Sequence, residues 1–469
     1  MAAFVVDHDE LTRLVTGEVV VPGYPDYDVL RKPAMARFDH VRPAVIVRCQ
    51  TPADVSEVIR FARRAGLPLA IRCGGHSVAG RSSTEGIVID VTPMRHVAVS
   101  DGIATVGAGV RLGELYEALY EHGVTLPAGC GPSVGIAGLT LGGGIGILGR
   151  RYGLTCDRLH RAEVVLADGQ LIECDERQEP DLFWALRGAG GGNFGVVTSL
   201  VFETVPAADA TVFQLVWSPE HTDALVEAWQ AWAPSAPDNV DATLRLVAGT
   251  HAGPARVELI GAVIGSEADT AAHVDAFGSI TRVTPASAWF REMTYPAAKR
   301  QLDNLDQHAE SFDAESNRRG HIYAKSEFFR RPLDHQTITA LGQNMMQDVT
   351  GGRAREVAFM PWGGAYNGVA PDATGFPHRN ELFLVQHLLE TDPGAPETQH
   401  EAGLSWLARS WALLHPFGSG GVYPNFPDPD LRDWGPAYYG QNYARLLHVK
   451  ATYDPDNLFR FHQSLPLTH

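Results

Sequence analysis

The strongest constraint in this sequence is where its glycines fall. Of 48 glycines, 25 lie between Gly74 and Gly195, and the densest runs are Arg72-Cys73-Gly74-Gly75-His76-Ser77, Gly129 to Gly146 and Gly188 to Gly195. A residue without Cβ either adopts backbone angles closed to others or lets another group approach the main chain. No Gly-X-Y period accompanies the enrichment, so a collagen helix is excluded. Successive backbone N–H groups in such loops make anion-binding concavities. No Gly-Lys-Ser/Thr follows any of them, which excludes a P-loop. Any one loop alone is accounted for by a tight turn. The three together, each following a strand, predict a long ligand with a phosphate centre.

The surrounding pattern supplies those strands. AVIVRC (44–49), LPLAIR (67–72), IVIDV (87–91) and IATVGAG (103–109) are short apolar runs. Thr51-Pro52-Ala53-Asp54 is a helix start with Pro at the first turn, and Val55, Val58, Ile59 and Ala62 follow helical spacing. RLGELYEALYEHG (111–123) is a helix ended by Gly123, residues 162–174 form a hairpin across Asp168-Gly169, PDLFWALRG (180–188) is a short helix and GVVTSLVFETV (195–205) a strand. After Val205-Pro206-Ala207-Ala208 the periodicity changes. Strands at 211–217, 257–265, 357–364 and 382–390 alternate with helices near 219–233, 333–349 and 396–413. The runs 257–265 and 382–390 are nearly continuously apolar, as in a covered sheet. A Pro/Gly-rich loop (415–435) precedes one more helix, Tyr438 to Lys450. At 469 residues the chain has room for two to four domains; two α+β domains fit best, with the last segment returning to the first.

Composition narrows the function. With 38 basic and 55 acidic residues the net charge is −17, which opposes the phosphate contacts on which nucleic-acid binding depends. No run approaches the ~18 apolar residues of a membrane helix. MAAFVVDHDELTRLV lacks the basic start of a secretory signal, so a soluble, cytoplasmic protein is expected. Cys49, Cys73, Cys130, Cys156 and Cys174 are odd in number and match no zinc spacing, which argues against a disulfide framework or structural metal.

Three common motifs occur in the wrong setting. Gly144–Gly149 and Gly190–Gly195 both match G-x-G-x-x-G, and Asp168 even follows the first at the spacing of a ribose-binding acid. That motif must open a helix, yet Arg150-Arg151-Tyr152-Gly153 and the β-branched VVTSLV follow instead. Gly131-Pro132-Ser133-Val134-Gly135 matches the nucleophile elbow, which needs a strand before the serine and a helix after it. A serine hydrolase through Ser133 and a non-catalytic ligand-binding protein are the readings from other classes.

Taken in order, Arg72-x-Gly74-Gly75-His76-Ser77, VGIAGLTLGGGIGILGRRYGL (134–154) and DLFWALRGAGGGNFGVVT (181–198) resemble the FAD domain of berberine-bridge-enzyme-like flavoproteins, of the vanillyl-alcohol-oxidase type. YYGQNYARLLHVKATYDPDNLFRFHQSLP (438–466) is similar to that family's C-terminal signature, and TGFPHR (374–379) also looks familiar. The resemblance implies a two-domain α+β FAD-linked oxidase architecture: a split FAD-binding domain (1–205 with 425–469) and a substrate domain (206–424) whose large antiparallel sheet, backed by helices, roofs the flavin. It implies an FAD cradle made by Arg72, Cys73, Gly74, Gly75, Ser77, Gly131, Val134, Gly135, Gly138, Gly142, Gly143, Gly144, Gly192, Asn193, Gly195, Val197 and Asn442. His76 would be joined to the flavin 8α-methyl carbon. Many relatives carry a second bond, from cysteine to flavin C6. Here Gly131 stands at the matching position and Cys130 one residue early, so Cys130 is either a second link or a free thiol beside the ring. Val134 matches a position whose small residue admits dioxygen, which favours an oxidase.

By the same resemblance a hydride passes from a small organic substrate to flavin N5, by alcohol oxidation or oxidative ring closure, and dioxygen becomes hydrogen peroxide. The alternative is a dehydrogenase using another acceptor. The alcohol proton needs a base, which in the family is often a C-terminal tyrosine. Tyr438 matches it, with Asn442 one helical turn on; Tyr439 and Tyr443 are the next candidates. A phenol titrates near pH 10, so it needs a cationic neighbour or a second tyrosine. The competing reading is aromatic packing between domains. Tyr323, Lys325, Phe359, Trp362 and Gln386 are candidate pocket residues. Strand alternation sets Gln386 with Leu388 and His387 on the other face, and His378-Arg379 reads as a strand anchor. Val78 replaces the tyrosine of some sugar-oxidising relatives, which weakens a carbohydrate assignment.

Overall fold

The computed structural model describes residues 6–249, 253–305, 320–347 and 353–467. Three bodies of sheet carry it. Strands Glu18–Val20, Val45–Arg48, Ile87–Asp90 and Leu69–Arg72 form a four-stranded sheet in that order, parallel where Ile87–Asp90 meets its two neighbours. Strands Val97–Ser100, Ile103–Gly107, Gly195–Glu203, Leu159–Leu166 and Leu171–Cys174 form an antiparallel five-stranded sheet. The helix Pro52–Ala65 starts as its sequence requires: Thr51 Oγ1 accepts from Asp54 N at 3.2 Å, Asp54 accepts from Thr51 N at 3.1 Å, and Gly66 closes the other end at φ 64°.

The third sheet is antiparallel and seven-stranded, in the order Ser287–Met293, Ala210–Trp217, Arg256–Val263, Val240–Ala248, Ala354–Pro361, Phe383–Thr391, His321–Phe329. Alternation gives it two apolar faces. Phe383, Val385 and Leu389 enter the core beneath helices Thr222–Trp232, Glu267–Thr281, His335–Met346 and Glu397–Leu414, beside Trp229 and Trp406. Leu384, on the opposite face, packs with Leu154, Phe376 and Tyr423 from the glycine-rich side. The helix expected over 333–349 is observed as His335–Met346, and residues 348 and 349 lie outside the described residues. Strands Val240–Ala248 and Ser287–Met293 and helices Glu267–Thr281 and Tyr295–Leu305 were not legible as elements in the sequence.

The two halves are tied by buried polar contacts. Arg150, 2% exposed, donates to the carbonyls of Val240, Pro234 and Ala236 at 3.0, 3.2 and 2.6 Å. Arg379 is fully buried and meets Asp157 through both terminal nitrogens, at 2.8 and 2.6 Å. His378 Nε2 lies 3.0 Å from the Tyr438 carbonyl. The Pro/Gly-rich loop lies along the edge strand His321–Phe329, exchanging Phe328 N to Gly421 O at 2.9 Å and Ser419 N to Phe328 O at 2.8 Å, and so covers an edge that would otherwise be open to pairing.

Removing one member of a buried pair leaves the other charge uncompensated. Arg379→Met is therefore expected to cost roughly 3–5 kcal/mol, read as a lowered denaturant midpoint; an unchanged midpoint would show that Asp157 finds another partner. Burial also pushes His378 and His387 down to about 3. Both are neutral in the folded chain, whereas the unfolded chain takes up their protons near pH ~6.5. The stability they confer is complete above about pH 6.5 and is lost as pH falls toward 3. Thermal melts from neutral pH downward should show Tm dropping across that window, with a shallower drop in His387→Asn.

Candidate functional site

The first glycine loop is pressed directly onto the second. A Cβ on Gly74 would stand 2.5 Å from Ser133 O and 2.6 Å from Gly135 N, and one on Gly135 would run into Cys73 Sγ. Main chain therefore lies against main chain, and His76, two residues past Gly74, meets the second loop: its Nε2 is 3.0 Å from Ser133 Oγ. Burial, with the Arg111 charge adding to it, pushes His76 down to about 4, so the imidazole is neutral and nucleophilic at ordinary pH. Arg72 frames this loop. Its guanidinium donates to Ser82 O, Leu30 O and Ser83 Oγ at 3.0, 2.7 and 3.2 Å, so it shapes the turn and is not itself turned to a phosphate. Ser77 Oγ accepts from Arg81 N at 3.2 Å and closes the same turn.

In the second loop the glycines divide by what a side chain would meet. At Gly142 a Cβ would collide with the Asn425 side chain, at Gly143 it would come within 3.2–3.3 Å of Phe376 and Tyr423, and at Gly144 it would collide with Thr155. The space beside these three, expected for the dinucleotide, is taken by protein: by Asn425 at Gly142, by Phe376 and Tyr423 at Gly143, and by Thr155 and Leu139 at Gly144. Tyr423 hydroxyl accepts from Gly144 N at 2.9 Å, and Asn425 Nδ2 donates to Leu139 O at 2.9 Å and to the Tyr423 hydroxyl at 3.1 Å. A Cβ on Gly138, by contrast, would meet nothing within 4 Å. In the third loop, Gly190 and Gly191 would meet atoms only at 3.7–4.0 Å. Open, Cβ-free main chain at Gly138 and Gly190–Gly191, together with a neutral His76 on the first loop, suits an extended dinucleotide cofactor such as FAD.

The third loop is held by the C-terminal segment. Lys450 is buried and donates to Asn193 O, Asp454 and Phe459 O at 2.8, 2.6 and 2.6 Å. Asn193 Oδ1 accepts from Leu465 N at 3.1 Å, and its amide donates to Ala189 O at 3.1 Å. Gly192, at φ 81°, turns the loop, whereas Gly195 and Val197 belong to the strand Gly195–Glu203, where a Cβ on Gly195 would press on Val164 and Val165.

Several expected roles change here. Tyr438 hydroxyl accepts from Asp428 N at 2.9 Å and donates to Gln463 at 3.1 Å, and burial raises its pKa although Arg81 opposes the shift. Tyr439 hydroxyl donates to Ala189 O at 2.8 Å, and burial pushes it up to about 12. Both hydroxyls are thus engaged with neighbouring chain, and burial favours the protonated phenol. Nor does one helix carry Tyr438 and Asn442: Trp434–Tyr439 stops at Gly440, φ 49°, and a new helix runs Tyr443–Tyr453. Asn442 instead braces the 371–374 turn, donating to Pro371 O and Thr374 O at 2.7 and 3.0 Å.

Of the expected pocket residues, Phe359 lies under the helices against Trp229 (ring centroids 5.7 Å apart), and Tyr323 turns to His400 at 3.3 Å; alternation sends both to the far face. Lys325 pairs with Asp428 at 2.6 Å at the sheet edge. Trp362 is fully packed against Tyr366 and Phe328. Gln386 alone of the five is half-buried on the face that carries Leu384, opposite the helices. One group had no sequence signal beyond Pro296 near the start of its helix: Lys299, 2% exposed, on Tyr295–Leu305. Its ammonium donates to Ala128 O at 2.6 Å and Gly129 O at 3.4 Å, stands 4.0 Å from Cys130 Sγ, and sits between the rings of Tyr116 and Tyr295.

The division among the glycines can be tested. Gly142→Ala should lower Tm and flavin content together, because protein fills that space. Gly138→Ala should leave the melt of flavin-free protein unchanged and reduce flavin content alone. Equal behaviour of the two variants would refute the division.

Comparison with known proteins agrees with this geometry. Residues 43–175 match the FAD binding domain family, and residues 422–466 match the family described as berberine and berberine like. YgaK, an FAD-linked oxidoreductase of Bacillus subtilis, is 33% identical over 468 residues, covering 97% of this chain and 98% of its own. YvdP of the same organism, also an FAD-linked oxidoreductase, is 34% identical over 457 residues, covering 96% and 98%. Among solved structures, Physcomitrella patens BBE-like 1 superposes with a TM-score of 0.89 at 27% identity, over 99% of this chain and 100% of that one. The berberine bridge enzyme of Eschscholzia californica shares the fold, with a TM-score of 0.87 at 24% identity over 98% of each chain. The two matched family segments, the shared fold and the full-length similarity lead to one conclusion: the chain belongs to the berberine-bridge-enzyme-like family of FAD-linked oxidoreductases.

Proposed function

We propose that this oxidoreductase is an oxidase that carries its FAD covalently through His76, oxidises a small organic alcohol or closes a ring oxidatively, and reduces dioxygen to hydrogen peroxide. When bound, the flavin supplies a hydride acceptor at N5 and a donor of two electrons to oxygen. Residues 1–205 and 425–469 hold it, and 206–424 roof it, with Gln386 on the roof.

The observation that carries the reading is the presentation of His76. It is the histidine that the Gly74–Gly75 turn delivers to the meeting point of two cradle loops, and it is kept neutral there, with pKa near 4. Neutral imidazole is the form that can bond to carbon. Cys130, on the second loop, is the second attachment point in this proposal, its Sγ standing 4.0 Å from the Lys299 nitrogen. Val134 keeps the ring edge open to dioxygen. Relatives named as oxidases support the same direction, among them reticuline oxidase of Eschscholzia californica at 26% identity and tetrahydroberberine oxidase of Berberis wilsoniae at 27%.

Acid precipitation tests the attachment. The wild-type pellet is expected to stay yellow, His76→Ala to lose one bond and Cys130→Ala the other, each followed by the mass of the flavin peptide. A colourless wild-type pellet with FAD in the supernatant would sink the covalent reading. Air admitted to photoreduced protein in a stopped-flow instrument should reoxidise it quickly; slow reoxidation beside fast transfer to an artificial dye would make it a dehydrogenase.

A further inference from the structure

We propose that Ser133 positions His76 for its attachment to the flavin and receives the proton that the imidazole gives up, an inference that rests on the covalent reading of His76. Ser133 is the serine of Gly131-Pro132-Ser133-Val134-Gly135, and the flavoprotein reading leaves it without a task. Its Oγ lies 3.0 Å from His76 Nε2.

The contact is built into the backbone. Gly113 N donates to Pro132 O at 3.0 Å and Leu112 N to Val134 O at 2.9 Å, so the residues on both sides of the serine are pinned to the start of the helix Leu112–Tyr120. Ile136 N donates to Val110 O at 3.0 Å and extends the same seam. From the other side, Gly74 is close enough to Ser133 O that no side chain fits between them. Ser133 is therefore held by two neighbours and cannot swing away without parting the first loop from the second. No strand precedes it, and the loop geometry is not that of a hydrolase elbow.

The chemistry needs such a partner. With Nε2 at 3.0 Å from Ser133 Oγ, the bond to the 8α carbon would form through Nδ1. Attachment forms one N–C bond at the 8α carbon and breaks one C–H bond there. For the imidazole to end neutral, Nε2 must also lose its hydrogen. The flavin ring would take up the electron pair and two protons, one from the broken C–H bond and one from water. It would return to its oxidised state by passing the pair and both protons to dioxygen as hydrogen peroxide. Ser133 accepts the Nε2 hydrogen bond, fixes the tautomer and, being half-exposed, hands the proton to water. Desolvation at His76 works in the same direction, because it keeps the ring unprotonated before attachment.

The test uses full-length protein purified from riboflavin-starved cells and supplied with FAD in air. Linked flavin is followed as the acid-insoluble fraction and by intact mass over a range of pH, in wild type, Ser133→Ala, Ser133→Val and Ser133→Thr. The alanine and valine variants are expected to bind FAD fully but to link it at least about tenfold more slowly. Their rate should recover as pH rises and solvent base takes over the proton. Threonine, which keeps the hydroxyl, should link like wild type. A role in packing alone would change FAD content and Tm without changing the pH profile. Linkage in Ser133→Ala as fast as wild type at every pH would overturn the proposal. So would loss of all FAD from both the alanine and valine variants while threonine is normal, which would make the hydroxyl part of the fold. If wild type itself links no flavin, this proposal and the covalent reading fall together, and His76→Ala then leaves the pellet unchanged. Linkage in wild type that Ser133→Ala does not slow overturns this proposal alone.

Discussion

The site depends on a backbone-to-backbone contact between Cys73–Gly74 and Ser133–Gly135. Two loops that follow different elements, about 60 residues apart in the chain, touch there with no side chain between them. A Cβ at Gly74, 2.5 Å from Ser133 O, would force the loops apart, and one at Gly135 would collide with the Cys73 side chain. The His76–Ser133 hydrogen bond, which spans the two loops, would break. Glycine is required at these two positions because of what lies opposite.

The remaining architecture serves to hold that contact and its neighbours in place with buried charge. Lys450 and Asp454 lie inside the last helix turn and clamp the third loop through Asn193. Arg379 and Asp157 join the halves across the sheet's front face. Lys299 crosses from the second half to the carbonyls of Ala128 and Gly129. Buried ions are costly to desolvate, and each is repaid by several hydrogen bonds that hold only in one arrangement. They make the loops rigid rather than merely stable, which is what a cradle for a long, flexible cofactor needs.

Much of this was legible beforehand, and the misses share a cause. The helix at Pro52–Ala65, the hairpin across Asp168-Gly169 and the strand after Gly195 follow local rules of capping, turn chemistry and period, so they were read correctly. Of the two decoy dinucleotide motifs, Gly190–Gly195 does run into a strand, whereas Gly144–Gly149, against expectation, leads into a helix, though one of only four residues, Gly149–Tyr152. Gly142 to Gly144 were misread because a glycine reports that something is close without saying what. For Tyr438 the motif position carries no information on hydrogen-bond partners, and the structure supplies them in Asp428 and Gln463. Phe359 and Tyr323 went to the wrong face because the strands' start points, and hence the phase of alternation, are set by pairing with distant strands.

The sequence by itself determined the class of cofactor, the three glycine-rich loops and the α+β architecture, because these follow from local spacing and from motifs long enough to be specific. Only the tertiary structure decided which glycines face open space, that Lys299 stands beside Cys130, and that Ser133 holds His76. Those facts depend on residues tens to hundreds of positions apart meeting within a few ångströms, and no local pattern encodes that distance.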